Sequence, residues 1–574
     1  MKSNPNSRYQ TWLNHPSMTK EDRLILERYS HSEIDDAFFK DIEFGTAGMR
    51  GIMGPGSNRI NPYTITKATI AYGLMLKDHY PHQLERGVMI AHDNRHGAIA
   101  FTELVSNILN SMGIDTFTFK ELIPTPLLSY AVRHLRALGG IMLTASHNPK
   151  QYNGVKVYDD QGCQLVPQKI QPMLNHLSTL PDALSLSVPK STIKGKHRIV
   201  HDDVEQTYLE KVKSLQRLPS LTKKDFRIVF SPQHGASYRI LPQLFHELGY
   251  QLSVVKSQAS PDPNFSGTLS PNPEEKLAYQ EAIKLADLQK AHLIMVADPD
   301  ADRVGLAYLN SRGSYVLLNG NESAALLIHY LLSQRKLNHD LPIQGVVYDT
   351  IVSSPLARKI AQSFGLRTET FLTGFKFIGD RIAFYETHAG PQFIFGYEES
   401  YGCLIGDFVR DKDAIQALLL YAEMSLFYFH QGKDLGQALS AIFNDFGYHL
   451  DRQFSLTLSG KEGADFLDQL MKQLRLTPFK PLSGHKVLLV EDFQTQTKKD
   501  LEGHQSNIAL PMSNVIKFSF EDGSTIVVRP SGTEPKCKFY FSITDQSMQA
   551  CEAKLAAYID AFSKIYLSED KRLK

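Results

Sequence analysis

Leu143-Thr-Ala-Ser-His-Asn-Pro149 closes the apolar run Gly139-Gly-Ile-Met-Leu143 and opens into Lys150-Gln-Tyr-Asn-Gly154. Hydrophobic residues giving way to Ser, His, Asn and Pro read as a buried strand that ends in a turn. Open α/β sheets carry their chemistry at the carboxyl ends of strands, so Ser146 stands where a reactive side chain belongs. Pro149 and Gly154 stiffen and permit the turn, and Lys156, on the strand restart Val155-Lys-Val-Tyr158, can aim an ammonium at an anionic group on Ser146. These surroundings suit a phosphate better than an acyl group. A hydrolase nucleophile elbow needs G-x-S-x-G, whereas the flanks here are Thr144 and Asn148. In an extended segment, His147 would also diverge from Ser146 and be poorly placed as its base.

Outward from this stretch the pattern alternates. Helix-like Ile65–Lys77 and Ala98–Leu109 enclose the strand-like Gly87-Val-Met-Ile-Ala-His-Asp93, and Asp115–Phe119 and a Pro126-led helix over 127–135 follow. A second cycle begins at Phe226-Arg-Ile-Val-Phe230 and a third at the helix 323–332, followed by Gly345-Val-Val-Tyr348 and Phe393-Ile-Phe395. After a long helix, 414–430, strands around 486–490, 515–520, 525–528 and 538–542 precede a terminal helix, 548–562. The Glu521-Asp-Gly-Ser524 turn between two apolar runs signals a hairpin. Helical spacing of Trp12, Leu13, Leu24, Ile25, Leu26 and Tyr29 predicts helices before residue 39. The expected fold is α/β, with three similar α/β domains and a smaller C-terminal α+β domain. The boundaries fall at 1–205, 206–318, 319–445 and 446–574.

A chain of 574 residues is too long for one core. Its 42% hydrophobic and 21% charged residues are ordinary for a globular protein. A formal net charge of +1 argues against nucleic-acid or anionic-membrane partners and for a small molecule. The four cysteines form no C-x-x-C pair, and the N-terminus lacks an apolar signal core. A cytoplasmic location is expected.

Further constellations carry chemistry. Met295-Val-Ala297 leads into Asp298-Pro-Asp-Ala-Asp-Arg303, placing three carboxylates at alternate positions after an apolar strand. Such a cluster repels itself unless a cation neutralises it. An EF-hand would need Gly and Glu where Arg303 and Leu309 stand. Three short carboxylates suit Mg²⁺, which leaves coordination places for phosphate oxygens and water. The glycine-rich Phe44-Gly-Thr-Ala-Gly-Met-Arg-Gly51 is either a plain turn or a loop bringing Arg50 to a ligand. Thr373-Gly-Phe-Lys-Phe-Ile-Gly379 and Gly396-Tyr-Glu-Glu-Ser-Tyr-Gly402 read as sugar-binding loops or as solvated turns. Arg529-Pro-Ser-Gly-Thr-Glu-Pro-Lys536 reads as an anion nest completed by Arg529, Ser531 and Thr533, or as a simple strand connection. No dinucleotide or P-loop fingerprint is present.

Thr144-Ala-Ser-His-Asn-Pro149 with Tyr152-Asn-Gly154 and Lys156 resembles the phosphoserine loop of the α-D-phosphohexomutases, the phosphoglucomutase/phosphomannomutase family. The metal, sugar and phosphate loops follow in that family's order, and the wording of 396–402 is nearest its bacterial α-phosphoglucomutases. The resemblance implies four domains around a central cleft, a phosphoryl-carrying Ser146, and Mg²⁺ held by Asp298, Asp300, Asp302 and Ser146. It further implies catalytic duties shared among Ser146, His147, Lys156, Arg50 and Arg303. Thr373, Lys376, Glu398, Ser400, Arg529, Ser531, Gly532 and Thr533 would bind a sugar phosphate. The implied reaction interconverts glucose 1-phosphate and glucose 6-phosphate, with glucose 1,6-bisphosphate as intermediate and activator; phosphomannomutase and phosphopentomutase activities stay open beside it, and a sugar-phosphate phosphatase stands as a more remote alternative. Tyr397 stands where the family has glycine, which bears on the backbone path into Glu398.

Overall fold

A computed structural model describes residues 4–45, 48–458, 460–531, 536–567 and 573. The chain forms two compact bodies, Met1–Gly320 with Gly374–Asp434, and Asn321–Thr373 with Leu435–Lys574. Residues of 319–445 contribute to both.

In the first body, helices Pro5–Leu13, Lys20–Leu26 and His31–Phe38 gather around Trp12, whose ring meets Phe38 and Tyr63 edge-on at 5.7 Å each. Ser30 and Glu33 close a reciprocal capping box that starts the third helix by satisfying its free N–H groups.

A seven-stranded mixed sheet follows. At its centre Val88–His92 lies parallel to both Gly139–Leu143 and Thr116–Thr118. Tyr152–Tyr158 runs antiparallel beside Gly139–Leu143, and Gly48–Ile52 adds on antiparallel, with Arg50 opposite Gly154. The strand restart thus begins at Tyr152 rather than Val155, because Asn153 and Gly154 pair with Gly51 and Arg50. The glycine-rich segment is in part strand, and it can lie there only because Gly154 has no side chain. A Cβ at that position would collide with the Met49 carbonyl oxygen.

A second sheet of five strands sets Leu293–Ala297 parallel to Arg227–Ser231 and antiparallel to Val304–Leu309. Leu293–Ala297 is buried on both faces, as its unbroken apolar run requires. Gln392–Glu398 pairs antiparallel with Gly402–Leu404. Helix Ala414–His430 has the bounds read from sequence; its apolar residues circle the whole helix, and it is buried nearly throughout.

The second body contains the parallel pair Gly345–Thr350 and Arg367–Phe371, and an antiparallel seven-stranded sheet. In that sheet Ile516–Phe520 and Thr525–Pro530 form the expected hairpin, with Gly523 at φ +82° in the Asp-Gly turn. Tyr448–Thr457, helix Gly460–Leu476, and the short strands Thr497–Asp500 and Gln505–Asn507 are elements that the sequence reading lacked. Among the described residues no helix is long and apolar enough to cross a membrane.

Candidate active site

The first body brings the carboxyl ends of two sheets' strands into one place. Thr144 follows the fully buried strand Gly139–Leu143, and its Oγ1 accepts the Ser146 N–H at 2.7 Å while donating to Asp93 Oδ2 at 2.6 Å. Ser146 is 1% exposed and left-handed, with φ +51°. An L-residue avoids that region unless its surroundings impose it. The segment is therefore not extended, and the expected divergence of His147 does not occur. His147 Nδ1 lies 3.3 Å from Ser146 Oγ, because the left-handed turn folds the two side chains together.

Ser146 Oγ donates to Asp298 Oδ2 at 2.7 Å. Asp298, Asp300 and Asp302 are all buried, and each offers an oxygen within 4.8 Å of the others. Asp298 Oδ1 accepts the N–H groups of Asp302 and Arg303 at 3.0 and 2.9 Å. Asp300 Oδ2 accepts from Lys156 Nζ at 2.7 Å and from the Thr125 hydroxyl at 3.0 Å. Asp302 Oδ2 faces Lys156 Nζ at 3.0 Å and Lys412 Nζ at 3.1 Å.

The three carboxyls differ in charge stability. Burial, with Asp300 and Asp302 adding repulsion, pushes Asp298 well above the ordinary carboxylate range. Burial also opposes ionisation of Asp302, but Lys156, Lys412 and Arg303 outweigh it and hold that carboxyl well below the range. Asp300 and Asp302 each keep an Oδ1 that is buried with no hydrogen-bond partner among the described residues. Orphaned carboxylate oxygens beside a raised Asp298 and a serine hydroxyl fit a hard divalent cation.

Cationic groups surround the cluster. Arg303 Nη1 meets Glu274 Oε1 at 2.5 Å. Arg50 Nη1 reaches Asn148 Oδ1 at 3.4 Å, while its Nε is buried without a hydrogen-bond partner among the described residues. Lys376 opens helix Lys376–Thr387, and burial lowers its ammonium to about 8. Glu398 ends its strand, with Oε1 accepting the Gly374 N–H at 2.7 Å and Oε2 lying 3.9 Å from Lys412 Nζ. Tyr397 is buried beside Phe395 within a regular register, so the residue in place of glycine keeps the strand path to Glu398 intact. Ser400 lies in the turn that follows.

Thr373, Arg529 and Ser531 belong to the second body. The Thr373 hydroxyl is buried without a hydrogen-bond partner among the described residues. Arg529 Nη1 lies 3.3 Å from the Tyr540 hydroxyl, and the Ser531 N–H donates to the Lys536 carbonyl at 2.7 Å. Gly532 and Thr533 lie outside the described residues. Sequence reasoning missed Asp93, Thr125, Glu274 and Lys412. Of these, Asp93 and Thr125 carried a local signal: Asp93 as the polar residue closing an apolar strand, and Thr125 as the residue before the helix-opening Pro126, which pointed to the helix rather than to Asp300.

Four domain descriptions of "Phosphoglucomutase/phosphomannomutase" match the chain: alpha/beta/alpha domain I over 41–180, domain II over 206–311, domain III over 319–446, and the C-terminal domain over 487–557. A phosphoglucomutase of Staphylococcus epidermidis is 37% identical over 533 residues, covering 91% of this chain and 95% of that one. The chain belongs to the phosphoglucomutase/phosphomannomutase family. A Staphylococcus aureus phosphoglucomutase is likewise 37% identical, over 93% of this chain and 95% of its own. The solved structure of the Paramecium phosphoglucomutase parafusin superposes with a TM-score of 0.68 at 18% identity, covering 92% of this chain and 96% of that one. That likeness is one of fold, and it places the α/β sheets described above in the family's architecture.

Proposed function

We propose that this protein interconverts α-D-glucose 1-phosphate and glucose 6-phosphate by way of phosphorylated Ser146 and glucose 1,6-bisphosphate. The observation that carries the reading is the Ser146 hydroxyl bonded to Asp298 within three buried carboxylates, with Lys156 spanning Asp300 and Asp302. The staphylococcal relatives' name supports glucose as the sugar.

Asp298, Asp300, Asp302 and an oxygen on Ser146 would hold Mg²⁺, which when bound offsets charge on a transferring phosphoryl group. Phosphoryl transfer asks the protein chiefly for positioning and for fixed positive charge. Arg303 and Arg50 supply guanidinium groups for the phosphoryl oxygens. As the bond from Ser146 Oγ to phosphorus breaks and the sugar 6-oxygen takes the phosphoryl group, the proton that leaves the 6-hydroxyl ends on Ser146 Oγ, where His147 Nδ1 stands in reach to hold it. Glu398 and Ser400 accept and donate to sugar hydroxyls and Lys376 meets a substrate phosphate, while the Arg529–Ser531 loop grips the phosphate that is not being transferred. The bisphosphate then presents its other end, and Ser146 recovers a phosphoryl group.

Intact-mass measurement before and after phosphatase treatment, with Ser146→Ala kinetics, tests the reading. A phosphorylated parent and an inactive variant are expected. Full activity in Ser146→Ala would sink the mechanism, and faster turnover of ribose 1-phosphate or mannose 1-phosphate would reassign the sugar.

A further inference from the structure

We propose that Arg95 is the positioning residue that sets the backbone of the Ser146 loop for phosphoryl transfer. The proposal rests on the transfer role of Ser146 given above. Arg95 lies three residues beyond the strand Val88–His92 and is 3% exposed. Its guanidinium spends itself on one loop. Nη1 donates to the carbonyls of Pro149 and Tyr152, both at 2.8 Å, and Nη2 donates to those of Ser146, at 2.6 Å, and Asn148.

A rigid planar fork can serve several acceptors of one turn at once, which the conical ammonium of a lysine cannot. Arg95 therefore does for the loop what a strand ladder does for a strand: it satisfies carbonyls that have turned away from regular pairing.

The clamp is itself held from two sides. Asp93 Oδ2 lies 3.3 Å from Arg95 Nε and also accepts the Thr144 hydroxyl, whose oxygen receives the Ser146 N–H. One carboxylate–guanidinium pair thus reaches the peptide groups on both sides of Ser146, the residue with φ +51°. On the opposite side the Phe265 ring lies 5.3 Å from the guanidinium carbon. Phe265 is itself left-handed, at φ +52°, in a loop fastened to the Arg95 turn by Asn94 Nδ2 on the Asp262 carbonyl and by His96 Nε2 with Asn264 Oδ1. The metal-loop sheet's domain therefore reaches the serine loop by a second route, through Phe265 and Arg95 rather than through Asp298.

A merely structural arginine would affect folding and every kinetic parameter together. A positioning arginine affects the transfer step. In full-length Arg95→Lys, kcat on glucose 1-phosphate at saturating bisphosphate should fall about 100-fold, the scale of an ångström-sized misplacement, with KM within about threefold of the parent. Amide hydrogen exchange should quicken in peptides covering 144–154 and stay unchanged in 304–309. Phe265→Leu should move both readouts the same way and less far. A folded Arg95→Lys enzyme with parental kcat, or with unaltered exchange in 144–154, overturns the proposal. If Arg95→Lys does not fold, Phe265→Leu decides: parental exchange in 144–154 overturns the proposal and faster exchange supports it. A parent protein without mutase activity refutes the functional reading instead, and the exchange comparison still stands or falls by itself.

Discussion

Replacing Lys376 with methionine should make the ligand-free protein more stable and the enzyme worse. Lys376 is 9% exposed, opens a helix whose dipole disfavours a cation there, and has no carboxylate within 4 Å among the described residues. Its nearest compensation is the Phe377 ring, 5.7 Å away. Burial lowers its ammonium from 10.5 to about 8, which corresponds to about 3 kcal/mol against the charged form. The folded state binds fewer protons than the unfolded one between those two values, so parental stability rises with pH across that window. The cost is fully present below pH 8 and gone above about 10.5. Lys376→Met, of similar shape and uncharged, should therefore gain up to about 3 kcal/mol at pH 7 and nothing near pH 10.5. Urea unfolding followed by circular dichroism at several pH values reads this difference. The parent's kcat/KM should also decline as pH rises through about 8, since that ratio reports groups of the free enzyme. Without the ammonium to meet a phosphate, Lys376→Met should lose about ten- to hundredfold in kcat/KM. A variant less stable than the parent at pH 7, or a stability difference that ignores pH, refutes the reasoning.

Chelation should abolish activity and Mg²⁺ restore it, and the Mg²⁺-induced thermal shift should need about tenfold more metal in Asp300→Asn; an unchanged midpoint would remove Asp300 from the ligand set. Glu398→Gln keeps an acceptor for the Gly374 N–H but loses its charge, so glucose 1-phosphate turnover should fall about tenfold while vanadate binding stays parental. Arg529→Ala should weaken vanadate binding and lower kcat/KM about ten- to hundredfold; parental behaviour on both counts would place that loop outside the substrate site.

The residues legible in the sequence are those whose chemistry is written locally. Ser146 after an apolar strand, and three alternating aspartates after another, reveal themselves within a few positions of chain. The hairpin at Asp522-Gly523 and the all-apolar helix Ala414–His430 were readable for the same reason. Arg95, Glu274 and Lys412 were not, because each acquires its meaning from a partner far along the chain: Arg95 from Ser146, Glu274 from Arg303, Lys412 from Asp302. Strand Tyr448–Thr457 escaped notice because it lies at a sheet edge and carries Asp451, Arg452 and Gln453 where a central strand would carry apolar residues. The approach of His147 to the Ser146 hydroxyl was not legible either, because nothing local announced that Ser146 turns left-handed.

Trp12 is the chain's only tryptophan, and it is 1% exposed between Phe38 and Tyr63. Indole emission is therefore a single-address probe. Excitation selective for tryptophan will follow the docking of the three N-terminal helices and stay silent while the serine loop or the second body loosens. Agreement between that emission and circular dichroism across a denaturant series would mean that the helices leave with the rest of the chain; an earlier red shift would mean that they peel away first.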